Sequence, residues 1–105
     1  MDRKTFISAS SAALRHIDEV LGDLEHERLD VILAGDVLTL AFESGDKFVI
    51  NAHSAAEQVW MAAGTTAWHF DLVDDGRWIA AKTGDELMAT VAKVVGDKLG
   101  EPVEL

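Results

Sequence analysis

Hydrophobic periodicity predicts an α+β chain, folded as a two-layer α/β sandwich in the order helix, six-stranded antiparallel sheet, helix. Three observations carry that expectation. Apolar residues recur at three-and-four spacing near each end of the chain, which is the signature of an amphipathic helix. Between these stretches lie six short runs that read as strands, most of them separated by glycine-containing turns, as in an antiparallel meander. Both helical stripes need an apolar surface, and one face of a sheet can cover both. The other face is then left to solvent.

The first helix is expected over residues 4–24. Phe6, Ala13, Leu14, Ile17, Val20, Leu21 and Leu24 gather on one side, while Arg15, Asp18, Glu19 and Asp23 fall outside that stripe. Arg15 stands one turn before Glu19, a spacing that allows a modest ion pair. Ser8, Ser10 and Ser11 read as inert helix-surface residues. Residues 29–34 (LDVILA) read as the first strand and 37–42 (VLTLAF) as the second. Gly35-Asp36 between them suits a type II′ hairpin with glycine in the first central place. Ser44-Gly45-Asp46 turns the chain into the third strand, KFVIN (47–51).

Residues 52–57 read as a polar, alanine-rich bend before the fourth strand, QVWMA (58–62). After Gly64-Thr65-Thr66 comes the fifth strand, AWHFDLV (67–73). Asp74-Asp75-Gly76 then turns into the sixth, RWIAA (77–81). The second helix is expected over 83–99, with Thr83 as N-cap and Glu86 completing a capping box. Leu87, Met88, Val91, Val94, Val95 and Leu99 form its stripe, and Gly100 and Pro102 mark its end.

Side chains alternate across a strand. Trp68, Phe70 and Leu72 therefore share one face of the fifth strand, and His69 and Asp71 the other. If Val59 and Met61 point inward, Gln58 and Trp60 point outward. Asn51 can join them, which gives an outward set of Asn51, Gln58, Trp60 and His69. From pattern alone, Trp60 either covers the sheet or anchors a contact surface, since aromatic residues dominate binding hot spots. Trp68, Phe70, Trp78, Leu87 and Val91 are expected in the core.

Composition narrows the function. The 105 residues fit one domain spanning 1–105, large enough to hold a core without staples. The chain has no cysteine, so disulfides, thiolate zinc sites, cysteine-held clusters and cysteine nucleophiles are excluded. Nineteen acids against nine bases give a net charge of −10, which argues against nucleic acid and for a basic protein or a cation as partner. No clean leader and no membrane-length apolar run is visible, and a cytoplasmic location is the expectation. There is no Gly-rich phosphate loop, and four scattered histidines give no zinc spacing. Asp74-Asp75 is most simply a turn. His53 reads as an exposed loop residue that borders the outward set.

Six acids fall between residues 18 and 30: Asp18, Glu19, Asp23, Glu25, Glu27 and Asp30. Glu19 and Asp23 lie one helical turn apart and repel each other. A cation would relieve that repulsion, and carboxylates are hard oxygen donors suited to calcium, magnesium, manganese or iron. His16 or His26 could add a nitrogen ligand. A solvated charged face explains the same run equally simply.

The ordered set Gly35, Val37-Leu38-Thr39, Asn51, Gln58-Val59-Trp60, His69-Phe70-Asp71, Trp78 and Gly84, within this element order, resembles the frataxin family in its bacterial branch. The resemblance covers Phe6 to about Leu99. It implies a non-catalytic protein that binds iron (Fe²⁺/Fe³⁺) weakly along the ridge Asp18, Glu19, Asp23, Glu25, Glu27 and Asp30. It implies regulation of iron–sulfur cluster assembly through the cysteine desulfurase and the scaffold protein, with iron sensed or delivered. The contact surface would hold Asn51, Gln58 and Trp60, with His69 beside them. A monomer is implied, with iron-dependent oligomers left open. The alternatives are an acidic interaction module without functional metal, and a ferroxidase-like iron store. The chain departs from the family pattern at Ala55, at Thr66-Ala67, and at Val31, Ile32 and Leu33, where relatives often carry further acids.

Overall fold

The computed structural model describes residues 2–105. The elements run α1 (Arg3–Asp23), β1 (Leu29–Ala34), β2 (Val37–Phe42), β3 (Lys47–His53), β4 (Gln58–Ala63), β5 (Thr66–Leu72), β6 (Trp78–Ala80) and α2 (Leu87–Leu99). The strands form one antiparallel sheet in chain order, β1 to β6. Two hairpins set its register with two-residue loops. Ala34 pairs with Val37 around Gly35-Asp36, and Ala63 pairs with Thr66 around Gly64-Thr65. Gly35 and Gly64 both have φ +62, whereas the residues after them do not have positive φ. That is the expected use of glycine in the first central place.

The inner sheet face carries Leu38, Leu40, Ile50, Val59, Met61, Phe70 and Trp78, all buried. They form one core cluster with Phe6, Leu14, Ile17 and Leu21 of α1 and Leu87, Val91, Val95 and Leu99 of α2. Both helices therefore cover the same face. Phe6 meets the Trp78 ring edge-on at 5.9 Å, which ties the start of α1 to the last strand. Asp2 caps α1 by accepting from the Thr5 amide at 2.7 Å.

Several local expectations change. Leu24 is not in the apolar stripe: it caps α1 at its C-terminus and is exposed. Ser10 is not a surface residue. It is buried, and its hydroxyl donates to the Ile7 carbonyl, which satisfies it within the helix. The Arg15 Nε donates to the Ser11 carbonyl rather than meeting Glu19. β3 continues to His53, so the bend shrinks to residues 54–57. Trp68 is only half-buried against the core, and its indole N–H donates to Asp85 at 3.1 Å.

The largest change is at the start of α2. Thr83 does not cap the helix; its hydroxyl accepts from the Asp85 amide instead. Residues 83–85 are held near β6, where the Gly84 and Asp85 backbones bond to Ala80. Glu86 is the N-cap, and its carboxylate accepts from the Met88 and Ala89 amides. The far end of α2 is anchored twice. The Arg28 guanidinium donates to the Leu99 carbonyl at 2.6 Å, and Lys98 pairs with Asp46 of the β2–β3 turn.

Two measurements follow from these anchors. Glu86→Ala should lower the free energy of unfolding in urea by about 1 kcal/mol, the usual value of an N-cap, and Thr83→Ala by clearly less. The reverse ranking would restore Thr83 as the cap. The Lys98 ammonium, together with the Ser44 hydroxyl, holds the Asp46 carboxyl below its ordinary value of 3.8. A depressed carboxyl contributes stability above its unfolded value, and loses it as pH falls through the folded one. Asp46→Asn should therefore destabilise at pH 7 and do so less at pH 2; equal losses would exclude the ion pair as the cause.

Candidate functional site

Register brings the outward set together. Asn51 of β3 lies directly opposite Trp60 of β4, and Trp60 directly opposite His69 of β5. One row across three strands thus holds three of the four expected residues. Gln58 sits two residues before Trp60 on the same face and pairs across with His53. The inward partners Val59 and Met61 are buried, which fixes Trp60 and Gln58 on the solvent side.

Trp60 is held on three sides. Its indole N–H donates to Gln58 Oε1 at 2.8 Å, and Gln58 Nε2 donates to Asp71 Oδ1 at 2.9 Å. Each group in this relay has a defined donor or acceptor role, so the amide orientation follows from its neighbours. The indole faces are covered by imidazoles. His53 stacks at 3.8 Å between ring centroids and His69 at 4.3 Å, both with 13° between planes. His53 Nδ1 also accepts from the Ala56 amide at 3.3 Å, which ties its ring to the β3–β4 turn.

His53 and Asp71 belong to this site and were not in the expected set. The sequence places His53 in a bend because residues 52–57 are rich in small and polar side chains. Its period-two match to Val49 and Asn51 was the available signal. Alternation puts Asp71 on the outer face with His69. Only the register, however, shows that it reaches Gln58.

The remainder of the outer face is mostly small or apolar. Ile32, Thr39, Val49, Ala62 and Ala67 form the next row, and Ile32 is 53% exposed. Its charged members at the far end are Asp30 and Lys47, on either side of Ala41.

The acidic run leads into this same end of β1, and Asp30 is its last member. Glu19, Asp23, Glu25, Glu27 and Asp30 are exposed and Asp18 is half-buried. Among the described residues, no three acidic or histidine side chains converge to hold one ion. The ridge offers separate oxygen donors rather than a closed cage. Glu25 has φ +47, in the left-handed region that ordinarily favours glycine. A carboxylate therefore occupies a position where a side chain costs backbone energy. His26 is turned away from the ridge: its Nε2 lies 3.3 Å from Glu101, and its Nδ1 accepts from the Arg28 amide. His16 is exposed on α1, outside any such cluster.

Comparison with known proteins places this arrangement. A frataxin-like domain model matches residues 1–101. The chain is 33% identical over 109 residues to the iron-sulfur cluster assembly protein CyaY of Paraburkholderia phymatum, covering all of this chain and 98% of that one. The like-named protein of Paraburkholderia xenovorans is 31% identical over 103 residues, covering 98% and 96%. The solved frataxin of Psychromonas ingrahamii superposes with a TM-score of 0.89 at 28% identity, over 99% of this chain and 97% of that one. Trimeric frataxin from Saccharomyces cerevisiae, solved in complex with ferrous iron, gives a TM-score of 0.77 at 26% identity over 89% and 87%. With its helix–sheet–helix order and full-length match, the chain belongs to the frataxin family, in its bacterial, CyaY-like branch.

Proposed function

We propose that this chain is a non-catalytic, iron-binding regulator of iron–sulfur cluster assembly that docks onto the cysteine desulfurase and the scaffold protein. The observation that carries the reading is the pre-ordered row Asn51–Trp60–His69 on a sheet face that, among the described residues, no other element covers, in a chain whose relatives are named for cluster assembly. An indole fixed by Gln58 and Asp71 before any partner arrives is suited to act as an interface anchor.

Iron enters as cargo rather than as a resident cofactor. The exposed carboxylates of Glu19, Asp23, Glu25, Glu27 and Asp30, with the half-buried Asp18, suit weak, hydrated binding of a hard cation at several overlapping positions. The related yeast protein was solved with ferrous iron, which supports the choice of metal. The same line of charge is suited to a basic patch on the desulfurase, a contact that salt should weaken. An enclosed di-iron oxidation centre needs carboxylates projecting inward from several helices. The open ridge favours binding over that chemistry.

Two experiments test the parts separately. Titration with iron(II) should shift and broaden amide signals within residues 18–30 first; unperturbed signals there would remove the ridge as the iron site. In a desulfurase assay with and without iron, Trp60→Ala should weaken modulation by about tenfold or more in effective concentration, as loss of an interface anchor does. The fold should be retained, since Trp60 lies outside the core cluster. Wild-type modulation by a folded Trp60→Ala protein would take Trp60 out of the contact.

A further inference from the structure

We propose that His53 and His69 make the Trp60 face a proton-operated docking surface, which takes a carboxylate-bearing segment of its partner when the two imidazoles are charged. The proposal rests on the reading of this face as the partner surface, and adds its regulation and the chemistry it accepts. The geometry is specific. Two of the chain's four histidines flank a single indole, at 3.8 and 4.3 Å and nearly parallel to it. Histidine is the side chain whose charge ordinarily changes between pH 5 and 8. An imidazolium over an indole face gains a cation–π attraction that the neutral ring lacks. The stack can therefore carry charge without coming apart.

The charge matters because the rest of the face has so little. Its fixed charges within the strands are Lys47, Asp30 and Asp71, as the strand alternation and register place them, and Arg77, just before β6, is paired with Asp75. One cation against two anions leaves the face slightly negative, and charging both imidazoles reverses its sign. In a chain of net charge −10, this adds two positive charges on the side away from the helices. The titratable and charged groups on the elements around the stack are Asp71 on β5, Glu57 in the β3–β4 turn, Asp36 in the β1–β2 turn and Lys82 after β6. Asp71 already accepts from Gln58. His53 Nε2 and the ring nitrogens of His69 have no hydrogen-bond partner within the described residues, so they are the donors such a segment would meet.

The test has two arms. In the free chain, tryptophan fluorescence is followed from pH 8 to pH 5.5 in wild type, in His53→Gln/His69→Gln, and in Trp60→Phe to subtract Trp68 and Trp78. Wild type should show a titration that both variants lose. A titration unchanged in the double variant, or none in wild type, overturns the proposal. In the second arm, affinity for the purified desulfurase–scaffold complex is measured at pH 7.5 and pH 6.0. Wild type should bind about fivefold tighter at pH 6.0, the size expected of two exposed charge contacts, and the double variant should lose that difference. The same pH ratio in both proteins overturns proton control while leaving the docking reading intact. Absence of binding at both pH values overturns the docking reading and the proposal together.

Discussion

The register of β3, β4 and β5 is the constraint on which the rest of the molecule depends. Side chains alternate with a period of two, so a slip of one residue would exchange the faces of a whole strand. At β4 that slip would bring Trp60 into the core and expel Val59 and Met61 to water. The two-residue loop at Gly64-Thr65 and the burial of Val59, Met61 and Phe70 oppose it together. The helices act through the same constraint. By covering the inner face they make one register favourable, and so indirectly fix Asn51, Trp60 and His69 in a row.

The two surfaces of the molecule are built in opposite ways. On the sheet, polar groups satisfy one another: indole to amide, amide to carboxylate, imidazole to indole. Along the ridge, exposed carboxylates face water with few countercharges. The nearby cation, Arg28, is committed to the Leu99 carbonyl, and His26 to Glu101. These tethers fasten the turn after α1 to the end of α2 without neutralising the acids. Even the backbone at Glu25 is held in a costly conformation with a charged side chain on it.

Much of this was legible in the sequence because it rests on local pattern. Periodicity places the two helices and six strands, and Gly35 specifies its turn. The outward direction of Asn51, Gln58, Trp60 and His69 follows from alternation alone. What could not be read required long-range contacts. Glu86 replaces Thr83 as cap because the β6–α2 connection is held against Ala80, a tertiary restraint invisible to a capping-box pattern. Ser10 is buried because the stripe of α1 is wider than its apolar residues alone suggest. His53 and Asp71 join the site through cross-strand neighbours seven and thirteen residues away in sequence, which composition cannot supply.

The stacking of Trp60 also determines how it can be approached. With imidazoles on both faces and the indole N–H bonded to Gln58, neither a flat ring nor a guanidinium has a free face on which to lie. Only the outer rim of the indole is open. Any group that approached it would do so edge-on, against a narrow apolar rim between two polar rings. Because the ring's rotamer is already fixed, contact with that rim costs little side-chain entropy. The arrangement therefore leaves the shape of the rim, rather than a ring face, as what this indole presents.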